Sequence, residues 1–184
     1  MVVRCGWATE EPNLSYHDKE WGRPQHDDKK LFEFLILEGA QAGLSWVTIL
    51  KRRKGYEKAF SNFNAKKVAK YNQKKIEGLI QDKSIIRNRL KIVSAVNNAK
   101  QLLKIQREFG TFDKYIWGFV DNKPIKNKFK KISDLPAYTL ISEKISKDLK
   151  KRGFNFVGPT ICYALMQAIG MVNDHTSRCF RYQK

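Results

Sequence analysis

Residues 27–46 constrain the fold more tightly than any other stretch of the chain. Asp27 and Asp28 suit a helix start, and the apolar run from Leu31 to Leu37 has helical length. On such a helix Leu31, Phe34, Leu35 and Glu38 share one face. Glu38 therefore continues a core-facing stripe. A buried carboxylate is unfavourable unless it is paired or protonated, so Glu38 needs a partner that the local sequence does not supply. Gly43 is expected to end the helix, Leu44 to stand out at a turn, and Ser45 to cap a second helix over 46–54. These residues alone leave two readings open. One is a plain helix–turn–helix joint with Glu38 held by a neighbouring arginine; the other is a functional carboxylate.

Along the rest of the chain the signals are helical, and no stretch alternates convincingly enough for a strand. The segment up to Pro24, rich in aromatics and turn formers, reads as an ordered loop. Asn64 and Asn72 suit caps for short helices over 65–71 and 73–81, and a long helix is expected over 84–108, stopped by Gly110. A short aromatic helix follows over 111–120, and 123–139 is the least structured stretch. Near the end, a helix over 142–152 stops at Gly153 and a second runs from Pro159 to Gly170, Pro at its start and Gly at its end. A tight hairpin of this kind offers free amides to a phosphate, and Lys147, Lys150, Lys151 and Arg152 agree. An ordinary αα turn would account for it equally well. The fold class read from these patterns is all-α, with 1–184 as one domain, expected to be a monomer.

With 42% hydrophobic residues, the chain of 184 can bury a sizeable core. The formal net charge of +18 favours a polyanionic partner, nucleic acid before membrane surface. No apolar run approaches membrane-spanning length and no signal-peptide pattern is present, so a soluble cytoplasmic protein without a membrane partner is expected. Three cysteines, an odd number, argue against a disulfide framework. Cys5 and His17 near one end, with His175 and Cys179 near the other, make up a tetrahedral zinc set. Neither half has zinc-finger spacing, though His175 and Cys179 at i, i+4 would share a helical face. With four protein ligands such a site would be structural and would clip the termini together. Cys162 reads as core.

Arg4-Cys5-Gly6-Trp7, Tyr16-His17-Asp18 with Glu20-Trp21-Gly22, Leu37 to Trp46, Lys151 to Phe154, Ile161-Cys162-Tyr163 and Val172 to His175 together resemble the bacterial 3-methyladenine DNA glycosylase I family. The likeness spans essentially the whole chain, in order. It implies an all-α fold of the helix-hairpin-helix superfamily and a structural zinc on Cys5, His17, His175 and Cys179. It implies base excision repair: hydrolysis of the N-glycosidic bond of 3-methyladenine in double-stranded alkylated DNA in the bacterial cytosol, leaving an abasic site. The base pocket by resemblance is Tyr16, Glu38 and Trp46 with Trp21 nearby, Glu38 being the catalytic residue. Leu44, beside Gly43, is expected to fill the gap in the duplex, and Gly158 and Thr160 to meet the DNA backbone.

One departure separates this chain from other helix-hairpin-helix glycosylases. Where those carry a catalytic Asp after the hairpin's second helix, this chain has Asn173; where bifunctional relatives carry a Lys past the hairpin glycine, it has Pro159-Thr160. No Schiff-base chemistry is therefore expected. The competing class, a zinc-stabilised nucleic-acid-binding module without activity, accounts for charge, hairpin and zinc but not for a carboxylate among aromatics.

Overall fold

The computed structural model describes residues 2–182. Its centre is α2 (Asp28–Gln41), in which every residue from Leu31 to Ala40 is buried. The helix is thus enclosed on all sides, where the sequence pattern gave it only one core-facing stripe. Asp27 caps α2 by accepting from the Lys29 amide. Asp28 instead receives the Phe112 and Asp113 amides, both at 2.8 Å, and so caps the start of α7 (Phe112–Trp117). Around α2 pack α3 (Trp46–Ala59), α6 (Arg89–Phe109), α7 and α9 (Pro159–Ala168). Shorter helices α4 (Ala65–Val68) and α5 (Gln73–Gln81) brace α6, and α8 (Leu140–Lys151) pairs with α9.

The all-α expectation holds, with local differences. The N-terminal segment read as a loop contains α1 (Asn13–Lys19), a two-turn helix too short to display a period. The second helix runs on to Ala59 rather than stopping near residue 54. Gly55 marks a close approach inside it, since a Cβ there would run into the Ser84 carbonyl. The long helix starts at Arg89, not at residue 84, because Asn88 is its cap and accepts from the Lys91 amide at 3.1 Å. Two short strands were not anticipated: β1 (Ile125–Lys126) pairs in parallel with β2 (Val172–Asn173). Together with the Ser177 amide donating to the Phe129 carbonyl at 2.8 Å, they tie the lysine-rich 123–139 stretch to the C-terminal loop. No described helix is long and apolar enough to cross a membrane.

Candidate active site and metal centre

The turn after α2 follows from its residues. Ala42 (φ −43°, ψ 116°) and Gly43 (φ +76°) form a type II turn closed by the Leu44 amide on the Gln41 carbonyl at 2.6 Å. The left-handed second position is the reason for glycine there. Ser45 then caps α3, accepting from the Thr48 amide at 3.3 Å. Leu44 is left 39% exposed, an apolar side chain standing off a rigid corner.

Behind this corner lies a cavity of about 360 Å³. Tyr16, Trp21, Glu38 and Trp46, all named from the sequence, line it together. The ring centroids of Tyr16 and Trp46 are 5.3 Å apart. Further lining comes from Trp7, Asn13, Gln41 and Gln167, and from Ile132 and Leu135 of the 123–139 stretch, none of which the sequence reading placed here. Trp7 alone carried a signal, in its aromatic-rich surroundings. The others come together only through tertiary packing.

Glu38 is 4% exposed and has no hydrogen bond or ion pair among the described residues. Burial pushes its carboxyl up to about 8. A neighbouring arginine does exist, but it is committed elsewhere. Arg53 donates from Nε to Glu33 at 2.6 Å and from its two terminal nitrogens to Glu20, each at 2.7 Å. Burial, and then the Glu38 carboxylate, hold the Tyr16 phenol well above its usual range. Trp46 Nε1 and Asn13 Oδ1 are also buried without a partner, so the cavity wall offers an unused donor and an unused acceptor.

Asn173 and Asp174 do not line this cavity. The Asn173 Oδ1 accepts from the His175 amide at 3.2 Å and lies 3.0 Å from His175 Nδ1. Asp174 is fully buried and receives Asn127, Tyr163 and Gln167 at 2.6–2.7 Å. Glu38 is the sole carboxylate, and no lysine is present, among the described residues lining the cavity.

In the hairpin, Gly153 adopts φ +86° and Gly158 caps α9 ahead of Pro159. Thr160 is exposed, and the Ser146 hydroxyl fixes the loop by donating to the Val157 carbonyl at 2.6 Å. Arg152 is not free for a phosphate as expected. It is paired with Glu108 and Asp148, both at 2.7 Å, and stacked over Phe109 and Tyr115. Cys162 is core, its thiol on the Val157 carbonyl at 3.4 Å.

Three of the four metal candidates meet. The ligand atoms of Cys5, His17 and Cys179 lie within 4.8 Å of one another, all buried, and this group could hold a metal ion. His175 stands beside them rather than within that set, its ring centroid 4.9 Å from that of His17. It lies on a loop after β2, not on a helix with Cys179. The donor chemistry fits a metal. His17 Nδ1 is turned to the Asp18 carboxylate at 2.8 Å and His175 Nδ1 to Asn173, and the His17 Nε2 faces the Cys179 sulfur at 3.4 Å. The His175 Nε2 is buried with no partner. Burial lowers the His17 pKa and holds His175 at about 3, so both imidazoles are neutral, as ligands must be. Burial also pushes the Cys5 thiol up to about 11, an environment that a bound cation would offset. Trp21 joins the two sites, lining the cavity while its ring meets His175 at 4.6 Å.

Comparison with known proteins decides the family. Residues 7–182 match the methyladenine glycosylase family. The chain belongs to that family. It is 47% identical over 182 residues to DNA-3-methyladenine glycosylase 1 of Escherichia coli K12, covering 98% of this chain and 97% of the relative. It is 46% identical over 180 residues to the DNA-3-methyladenine glycosylase of Haemophilus influenzae, with 97% of each covered. Among solved structures of the family, the Staphylococcus aureus 3-methyladenine DNA glycosylase I superposes with a TM-score of 0.95 at 38% identity, over 98% of this chain and 97% of that one. A tyrosine-to-phenylalanine variant of 3-methyladenine DNA glycosylase I in complex with 3-methyladenine gives 0.95 at 37% identity, over 98% of each.

Proposed function

We propose that the chain is a base-excision-repair glycosylase that hydrolyses the N-glycosidic bond of 3-methyladenine in double-stranded alkylated DNA. The observation carrying this reading is the buried, unpartnered Glu38 in an aromatic cavity of a methyladenine glycosylase family member. Methylation at N3 makes adenine cationic, so the base leaves with the bonding electron pair without needing a proton. Water then adds to the sugar carbon and loses its proton, leaving an abasic site. The protein's tasks are to extrude the nucleotide, hold the base and orient water.

Trp46 and Tyr16 receive the cationic ring by stacking and cation–π attraction, worth on the order of 0.5–2 kcal/mol, with Trp21 behind them. Glu38, ionised, accepts from the base's N–H groups, while a neutral adenine leaves it without a cation and is thereby disfavoured. Leu44, presented by Gly43, enters the duplex in place of the extruded nucleotide. Gly158 and Thr160 at the start of α9 bind the backbone phosphate. The cavity's lack of lysine and the Pro159-Thr160 pair favour a monofunctional enzyme. Cys5, His17, Cys179 and His175 hold one zinc, which has a structural role and clips the termini. The chain works as one glycosylase unit over 1–184, as a monomer in the bacterial cytoplasm.

The test is release of 3-methyladenine from methylated duplex DNA by the purified protein, with borohydride trapping alongside. Base release without a covalent adduct is expected. A trapped adduct would contradict the monofunctional reading, and salt-dependent DNA binding with no base release would favour a non-enzymatic binding module.

A further inference from the structure

The first half of α6 carries polar side chains that base excision as described leaves unused. The Lys91 ammonium donates to the Ala40 carbonyl at 2.8 Å and to the Ala42 carbonyl at 2.6 Å. Carbonyls at a helix C-terminus lack partners within the helix and attract a cation. Ala42 is also the first central residue of the turn that presents Leu44. Two helical turns further along the same face, buried Asn98 grips the hairpin twice. Its Nδ2 donates to the Asn155 carbonyl and its Oδ1 accepts from the Asn155 amide, both at 2.9 Å. Adjacent Asn97 donates to the Gly153 carbonyl at 2.7 Å and to Asn155 Oδ1 at 2.8 Å. One helix thus holds the Leu44 turn and the hairpin at anchor points about 10 Å apart along its axis. Gly39 of α2 also faces the hairpin, where a Cβ would stand at an ordinary contact distance of 3.5 Å from the Phe156 Cβ.

We propose that Lys91 is a positioning residue for base excision: seated on the α2 carbonyls, it fixes the Leu44 turn relative to the hairpin, so that wedge and phosphate grip engage one duplex together. The inference rests on the reading of Leu44 as the duplex wedge. Two contacts on a stiff duplex reinforce each other only when their separation is set beforehand; a loose turn loses that gain to ordering on binding. Lys91 acts through Leu44 and has no part in holding the base.

The experiment is a double-mutant cycle on affinity for a duplex containing a stable abasic analogue, using Lys91→Met, Leu44→Ala and the double variant. Free 3-methyladenine binding and melting temperature are measured for each. Lys91→Met should weaken abasic-duplex binding about tenfold while changing free-base binding by less than about twofold. In the Leu44→Ala background it should cost nothing further, and Lys91→Arg, which keeps a cation on the carbonyls, should restore most of the affinity. An equal loss in both backgrounds would make Lys91 an independent DNA contact and overturn the proposal, as would a parallel loss of free-base binding. If Leu44→Ala weakens duplex binding but Lys91→Met does not, the proposal alone fails. If Leu44→Ala has no effect on the duplex, the wedge reading itself fails and takes the proposal with it.

Discussion

Arg53 Nε lies 2.6 Å from Glu33 Oε1 and Lys30 Nζ lies 2.8 Å from Glu33 Oε2, whereas Glu38, the other buried glutamate of α2, has no cation beside it among the described residues. With its terminal nitrogens on Glu20, Arg53 makes no bond to Glu38. One helix therefore carries a structural carboxylate and, five residues on, a carboxylate whose partner must come from outside.

Glu38→Gln keeps size and some hydrogen bonding but removes the charge. Losing a charge-assisted hydrogen bond of roughly 1.5–3 kcal/mol should reduce 3-methyladenine excision between about tenfold and a hundredfold. The melting temperature should hold or rise, because a buried ionisable group with no partner is gone. Unfolding of the variant, or undiminished excision, would place Glu38 in the scaffold instead.

The same residue sets a pH dependence. Its folded pKa, about 8, lies above the ordinary carboxylate value of 4.5, so the folded protein keeps a proton that the unfolded chain releases. The stabilisation is complete below about pH 4.5 and is lost as pH rises through about 8. Catalysis runs the other way: kcat/KM should climb with pH and level off above about 8, where the free enzyme carries an ionised Glu38. Comparing melting curves and pH–rate profiles of the wild type and Glu38→Gln checks both trends, since the variant should lose them.

Arg53→Met should destabilise by about 2 kcal/mol, because buried Glu33 then keeps only the Lys30 ammonium at 2.8 Å and Glu20 loses its cation. That corresponds to a fall in melting temperature of roughly 4–8 °C for a chain of this size. The pH–rate midpoint assigned to Glu38 should stay in place, because Arg53 does not reach it. A shifted midpoint would show the two glutamates to be coupled.

Elemental analysis should find one zinc per chain. A strong chelator, or Cys179→Ser, should lower the melting temperature by on the order of 10 °C, as for the loss of a site worth a few kcal/mol. Unchanged melting after removal of the metal would mean that Cys5, His17 and Cys179 are only a packed cluster.

What the sequence revealed was whatever local chemistry determines. The Asp27, Ser45, Asn64 and Asn72 caps and the Gly43 turn each depend on a few neighbouring residues, and each is found in the structure. Boundaries set by distant contacts were not legible: Gly55 looks like a helix stop until Ser84 is seen beside it. In the cavity, Tyr16, Trp21, Glu38 and Trp46 were foreseen, but Asn13, Gln41 and Gln167 look like ordinary surface polar residues. Ile132 and Leu135 sit in a stretch whose only local signal is lysine, and β1–β2 pairing brings that stretch back towards the cavity. Glu33 has the spacing of a solvated residue, so its pairing with Arg53 twenty positions away left no trace in the pattern.

The cluster at the chain ends also imposes an order of events. Cys5 receives the Thr176 amide at 3.3 Å, and His17 Nε2 lies 3.4 Å from the Cys179 thiol. During synthesis Cys5 and His17 must wait for Thr176 and Cys179, more than 150 residues later, to leave the ribosome. Trp21, which walls the cavity, rests its ring on His175 from the late half. A nascent chain can form α2 and the Leu44 turn early, yet it acquires a finished cavity wall only when its last segment docks.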